Sequence, residues 1–213
     1  MPPHPTIFLV DDDASFLVAV ARMLRASGFV VKAFASASEL LARPHLDGPG
    51  CVLADLQMPG MSGLDLQEAL VKAGHRLPVI FLSGHGDIPT TVQAMRRGAE
   101  DFLTKRAPKE ELLKVVNRAL AREARERAER ARVQELRARF DALTERDHEV
   151  LQHVLRGQLN KEIAADLGID ERSVKRHRTS IMAKLEVRSV AELARLAERA
   201  GVSGDQSSVI SDQ

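Results

Sequence analysis

The chain has 213 residues, 44% hydrophobic and 29% charged, with a formal net charge of +1, a composition that fits one or two globular domains. No apolar run approaches the roughly 18 residues of a membrane span, and the first residues lack the basic-then-apolar pattern of a secretion signal. Cys51 is the only cysteine, which excludes an internal disulfide and a multi-cysteine metal site and fits a buried strand residue in a reducing cytoplasm. Charge is uneven: residues 121–140 hold seven basic and four acidic side chains, whereas 1–120 hold 13 of each and 141–201 hold 11 of each. Any nucleic-acid surface must therefore be local.

In chain order, Ile7-Phe8-Leu9-Val10 predicts a strand that runs into Asp11-Asp12-Asp13. Helical spacing over 15–27 follows and stops at Gly28. A second strand over 29–34, a short helix near 38–42 and the Gly48-Pro49-Gly50 loop lead to a third strand. That strand, Cys51-Val52-Leu53-Ala54, is apolar on both faces and ends on Asp55, as a buried parallel strand would. A helix over 64–73, a strand over 78–82 ending at Ser83-Gly84, a helix over 90–98 and a strand over 101–104 closed by Lys105 complete the pattern. Strands alternating with helices over some 120 residues predict an α/β doubly wound sheet of five parallel strands.

In such a sheet the polar residues just past neighbouring strand ends converge. Asp11, Asp12 and Asp55 would crowd carboxylates that repel one another, and a hard cation such as Mg²⁺ suits that donor set. Asp55 could then attack a phosphoryl group, with the Lys105 ammonium neutralising its oxygens and the Ser83 hydroxyl bonding one of them. Each residue alone has a plainer reading as a turn-forming Asp or a surface charge; four strand ends matching together favours the chemical one.

Residues 5–120 resemble the receiver domain of two-component response regulators, with its flavodoxin/CheY-like fold. The match lies in Val10-Asp11-Asp12-Asp13, Asp55-Leu56-Gln57-Met58-Pro59-Gly60-Met61-Ser62-Gly63, Ser83-Gly84-His85-Gly86-Asp87 and Asp101-Phe102-Leu103-Thr104-Lys105. The resemblance implies that a partner histidine kinase phosphorylates Asp55. It further implies that Asp12, Asp55 and the Gln57 carbonyl hold Mg²⁺ while Asp11 acts through water, and that Ser83 and Phe102 form a switch pair. Gln57 and His85 would tune the lifetime of the phosphate. One departure stands out: the family lysine is usually followed by proline in a cis bond, whereas Lys105 is followed by Arg106. A cis bond there costs about 2.5–4 kcal/mol, so the loop either bears that cost or takes another shape, and Arg106 adds a cation beside the pocket.

No Gly or Pro occurs between 109 and 140, and Arg, Glu and Ala dominate from 122 onward, which predicts one long helix. Glu123–Arg127, Glu126–Arg130 and Glu135–Arg139 have the favourable order for pairs four residues apart. A solvated linker helix and a short coiled coil are both open, although Ala128, Ala131 and Ala138 would make a poor seam.

Beyond it, Thr144 caps a helix, with Asp147 three residues on nearly completing a capping box. Helices over 160–167, 171–185 (capped by Asp170) and 190–200 follow. Residues 171–188 hold six basic and two acidic side chains inside a neutral segment, the pattern of a helix-turn-helix in a small all-α, four-helix domain. Leu143-Thr144-Glu145-Arg146, Gly157, Asn160-Lys161-Glu162-Ile163-Ala164, Ser173-Val174-Lys175, His177, Ile181 and Lys184-Leu185 resemble the LuxR-type DNA-binding domain. With the receiver, this points to the FixJ/NarL group, nearest the FixJ branch by Gly84-His85-Gly86-Asp87. The resemblance implies that Lys175, Arg176 and Thr179 face the major groove and that Lys161, Arg178 and Lys184 contact phosphates. Arg176 could equally bind guanine or a phosphate. Val190, Leu193 and Ala194 are candidates for a dimer face or for core.

His148 and His153 mimic a zinc-protease pair but stand five residues apart, about 140° off one helical face. The expected division is 1–120 receiver, 121–140 helical linker, 141–201 DNA-binding domain and 202–213 disordered tail. The expected function is a non-enzymatic transcriptional regulator with a sensor histidine kinase and double-stranded DNA as partners. It would be a homodimer when phosphorylated, and RNA polymerase is a further candidate partner. The alternatives are a phosphorylation-independent DNA-binding regulator whose receiver only dimerises and, well behind, a Mg²⁺-dependent phosphatase, which gives residues 141–201 no purpose.

Overall fold

Five apolar runs pair into one sheet in the computed structural model, which describes residues 4–43, 46, 48–84 and 88–202. The strands are β1 (Thr6–Val10), β2 (Val30–Phe34), β3 (Gly50–Asp55), β4 (Val79–Ser83) and β5 (Asp101–Thr104), in the order β2-β1-β3-β4-β5. All pairings are parallel. Every residue of β3 and β4 is buried, because helices cover both faces of the sheet. On one side α1 (Ala14–Ala26) and the start of α5 (Lys109–Asp141) bring Leu17, Leu24, Leu112 and Val116 against Ile7, Leu9, Leu53 and Ile80. On the other, α2 (Ala37–Leu41), α3 (Gly63–Lys72) and α4 (Ile88–Arg96) bring Leu40, Leu66, Leu70 and Ala94 against Val52, Ala54 and Phe81. This is the doubly wound sheet that the strand–helix alternation predicts. Helix α4 starts two residues before the predicted 90; Pro89 in its first turn lacks only an N–H that would have no partner within the helix. Cys51 is fully buried in β3. Burial pushes its thiol pKa up to about 12, with the Glu123 and Glu100 carboxylates adding to the effect.

The chain divides into two compact units, Met1–Arg127 and Ala128–Gln213, and α5 contributes to both. Its Leu112, Val115, Val116 and Ala119 pack on the sheet, while Leu136 and Phe140 belong to the core of the second unit. Ala128, Ala131 and Ala138 are exposed. Of the predicted pairs, Glu123–Arg127 forms at 2.6 Å, with Glu123 buried. Arg139 instead reaches Glu186 at 2.8 Å, because a tertiary partner outcompeted Glu135 on its own helix.

The second unit continues with α6 (Glu145–Leu155), α7 (Asn160–Leu167), α8 (Glu171–Leu185) and α9 (Val190–Ala200) around Val150, Leu151, Ile163, Val174, Ile181 and Leu193. Thr144, Asp170 and Ser189 cap α6, α8 and α9 through their side chains. Gly168, at φ 63°, makes the left-handed turn between α7 and α8. Of the expected disordered tail 202–213, Val202 instead packs against the core of the second unit, its N–H bonded to the Ala197 carbonyl at 2.9 Å, and residues 203–213 lie outside the described residues.

Asp147 departs from its expected capping-box role. Its N–H donates to Thr144, but its carboxylate turns inward beneath α8, with Oδ1 2.8 Å from His177 Nδ1 and Oδ2 2.6 Å from Lys184 Nζ. Burial raises the pKa of this carboxyl, yet hydrogen bonds from Lys184, His177 and Thr144 outweigh it and hold the value down to about 2.

Two expectations follow. A Cβ on Gly63 would lie 2.3 Å from the Asp55 carbonyl oxygen and 3.1 Å from Leu56 Cα. Gly63→Ala should therefore displace the backbone that carries Asp55 and cost about 1–3 kcal/mol in urea unfolding. A carboxyl whose folded pKa is depressed stabilises fully above its unfolded value and loses that contribution as the pH falls through the folded one. Asp147→Asn should thus cost on the order of 2 kcal/mol near neutrality. The gap between variant and parent should narrow as the pH falls from about 4 towards 2.

Candidate functional site

The register of the sheet assembles the first cluster. Val10 pairs with Ala54, so Asp11 and Asp55 each follow a matched pair; Asp55 pairs with Leu82, just before Ser83; Ser83 pairs with Thr104, just before Lys105. Carboxylate oxygens of Asp11, Asp12 and Asp55 all lie within 4.8 Å of one another. Asp11 and Asp55 are buried and Asp12 is exposed. The Lys105 ammonium stands 2.7 Å from Asp11 Oδ2 and 2.9 Å from Asp55 Oδ2. It also lies 4.7 Å from the centre of the Phe16 ring, a favourable cation–π position. Asp11 Oδ1 accepts the Asp13 N–H at 2.9 Å and Asp55 Oδ1 that of Gln57 at 3.3 Å. Asp13 itself is spent capping α1.

Burial raises the pKa of Asp11, with Asp55 adding to the effect, against the opposing pull of Lys105 and the Asp13 N–H. For Lys105, burial works against the charge, but its bonds to Asp11 and Asp55 carry its pKa above the ordinary lysine value. Buried Asp11 Oδ2 accepts no well-directed hydrogen bond among the described residues, so Lys105 meets it as an ion pair. Three carboxylates whose oxygens lie this close form an all-oxygen donor set that fits a hard cation.

Ser83 is buried, and its carbonyl accepts the Lys105 N–H at 2.8 Å, which sets the lysine backbone. Phe102 is half-buried opposite Phe81, and Gln57 is exposed. His85, with Gly86 and Asp87, lies outside the described residues. No described peptide bond is cis. The 105–106 loop therefore takes the second course open to it, a trans turn closed by Ala107 N–H to Thr104 O at 2.9 Å, with Arg106 exposed.

In the second unit Lys161, Lys175, Arg178 and Thr179 gather around one hollow of about 630 Å³ between the entry to α7 and the outer side of α8. Arg178 is half-buried and donates to Asn160 Oδ1 at 3.0 Å, and Thr179 donates to the Lys175 carbonyl. Arg176 is exposed outside the hollow lining. Lys184 is also outside it, bonded to Asp147. Leu193 is core, Ala194 is exposed, and Val190, also exposed, lines the edge of the same hollow. Three participants have no role at these sites assigned from sequence: Phe16, which lies within the predicted 15–27 helix; Asn160; and the Asp147 carboxylate. The one signal for Asp147 is that His177 and Lys184 stand two helical turns apart on one face of α8.

A family model described as the response regulator receiver domain matches residues 7–117, and one for bacterial regulatory proteins of the luxR family matches residues 141–197. Response regulator protein TodT of Pseudomonas putida is 44% identical over 193 residues, spanning 91% of this chain and 85% of that protein. Transcriptional regulatory protein FixJ of Azorhizobium caulinodans is 37% identical over 203 residues, spanning 95% and 96%. The solved structure of response regulator StyR matches with a TM-score of 0.82 at 43% identity, covering 92% of this chain and 100% of that one. The chain belongs to the transcriptional response regulators of two-component systems, with a receiver domain followed by a LuxR-type DNA-binding domain.

Proposed function

We propose that Asp55 is the phosphoacceptor and that its phosphorylation by a sensor histidine kinase controls DNA binding by the second unit. The division of labour would be 1–120 for reception, 121–140 for linkage and 141–201 for DNA, in the cytoplasm. The observation that carries this reading is the ammonium of Lys105 poised between Asp11 and Asp55 at the mouth of the sheet. In the reaction an Asp55 oxygen attacks the phosphorus of a phosphohistidine; the P–N bond breaks, a P–O bond forms, and the imidazole leaves with its electron pair. Asp11, Asp12, Asp55 and the Gln57 carbonyl are the groups that would hold Mg²⁺. The bound ion would supply charge neutralisation for the phosphoryl oxygens. Lys105 would transfer its pairing to the new phosphoryl group.

The acyl phosphate adds about −1.5 to −2 charges. Ser83, one residue beyond the partner of Asp55 in the sheet, would donate its hydroxyl to it, with Phe102 turning inward as the switch partner. The phosphorylated chain would dimerise, with Val190 and Ala194 available as exposed residues of α9. Lys175, Arg176 and Thr179 would then read two half-sites about 34 Å apart, and the bound dimer would be placed to meet RNA polymerase.

The test is the solution mass of the full chain with Mg²⁺, before and after acetyl phosphate or beryllofluoride. One phosphoryl group per chain and a monomer-to-dimer shift are expected, and Asp55→Asn should abolish both. A chain that takes up no phosphoryl group yet binds DNA unchanged would favour the phosphorylation-independent reading. Sustained turnover of small phosphoesters would favour the phosphatase.

A further inference from the structure

We infer that Asp147 is a positioning residue for DNA recognition, and that it withdraws Lys184 from the set of phosphate-contacting lysines. This rests on the DNA-binding reading of α8. At about 100° per residue, His177 and Lys184 lie within about 20° of each other around the helix, and both are bonded to the two oxygens of this one carboxylate. Lys175 and Thr179 lie about 160° from His177 on either side, and both are exposed. The carboxylate therefore grips α8 from behind the face that would read bases. Val174, Ile181 and Leu185, all buried, set the depth of the helix, but apolar packing is tolerant of small rotations. Two directional bonds two turns apart are not. A side-chain tip some 5–6 Å from the axis moves about 2 Å for a 20° rotation, enough to break a hydrogen bond to a base edge.

The anchor also accounts for Lys184. Its ammonium is 2.6 Å from Asp147 Oδ2 and away from the hollow that Lys161, Lys175, Arg178 and Thr179 share. Its charge balances a buried carboxylate, so it is not available to release counterions from DNA.

The experiment uses the full chain with Mg²⁺ and beryllofluoride and a 30-base-pair duplex selected by the parent protein from a random-sequence pool, with its scrambled counterpart as control. Affinity for both is measured against salt concentration. Each lysine that neutralises a phosphate contributes about 0.9 to the slope of log affinity against log salt. Lys161→Met should lower that slope by about this amount, whereas Lys184→Met should leave it unchanged. Asp147→Asn and Lys184→Met should each lower the preference for the selected duplex over the scrambled one by tenfold or more. A merely structural loss reduces the folded fraction and weakens both duplexes alike, leaving that preference intact. If Asp147→Asn does not fold, Lys184→Met carries the same test. A slope that falls with Lys184→Met, or a preference unchanged in the variants, would overturn the inference. Failure of the parent to select any duplex would instead overturn the DNA-binding reading itself.

Discussion

Two buried carboxylates, Asp11 and Asp55, follow matched positions of adjacent strands and repel one another, and the receiver unit supplies a counter-charge from the next strand but one. The Lys105 ammonium touches both Asp11 and Asp55 and rests over the Phe16 ring. Its own position is set by the sheet through the bond from its N–H to the Ser83 carbonyl. Everything else at that end of the molecule depends on this arrangement. The parallel register brings the strand ends level, and Gly63 lets α3 begin against the Asp55 backbone. The ammonium is thus shared between two carboxylates rather than committed to one partner.

The second unit reverses the signs. One buried carboxylate there holds two potential cations, and its depressed pKa reports how fully it is satisfied. Buried ion pairs often add little net stability compared with apolar packing, but breaking one by removing a partner is costly. Their value lies in geometry. In the receiver the cluster holds the Asp11 and Asp55 carboxylates against one ammonium; in the second unit it bonds one helix at two points, two turns apart.

The fold was largely legible because its signals are local. Short runs closed by Asp55, Ser83 and Lys105 read as strands, and Thr144 and Asp170 marked helix starts by their capping chemistry. Convergence of Asp11, Asp55 and Lys105 followed once a parallel sheet was inferred, since the carboxyl ends of parallel strands share one edge. Side-chain partnership was less legible. Arg139 had Glu135 four residues away and bonded Glu186 instead. Asp147 had a capping role available and turned its carboxylate inward. Lys184 sat in a basic run and was taken by that carboxylate. In each case several partners of similar energy lie within reach of a long side chain, and only the packed structure decides among them. The shape of the loop after Lys105 was left open for a related reason: with Arg106 in place of proline, no single residue dictates it.

The burial of Cys51 has a consequence for how this regulator meets oxidants. Thiol chemistry proceeds through the thiolate, and a thiol whose pKa stands at about 12 ionises at neutral pH in only about one molecule in 10⁵. The residue is also fully enclosed by the sheet. The sole sulfhydryl of the chain is therefore chemically silent in the folded state. Oxidative stress that reaches this protein without unfolding it has no cysteine through which to alter its output.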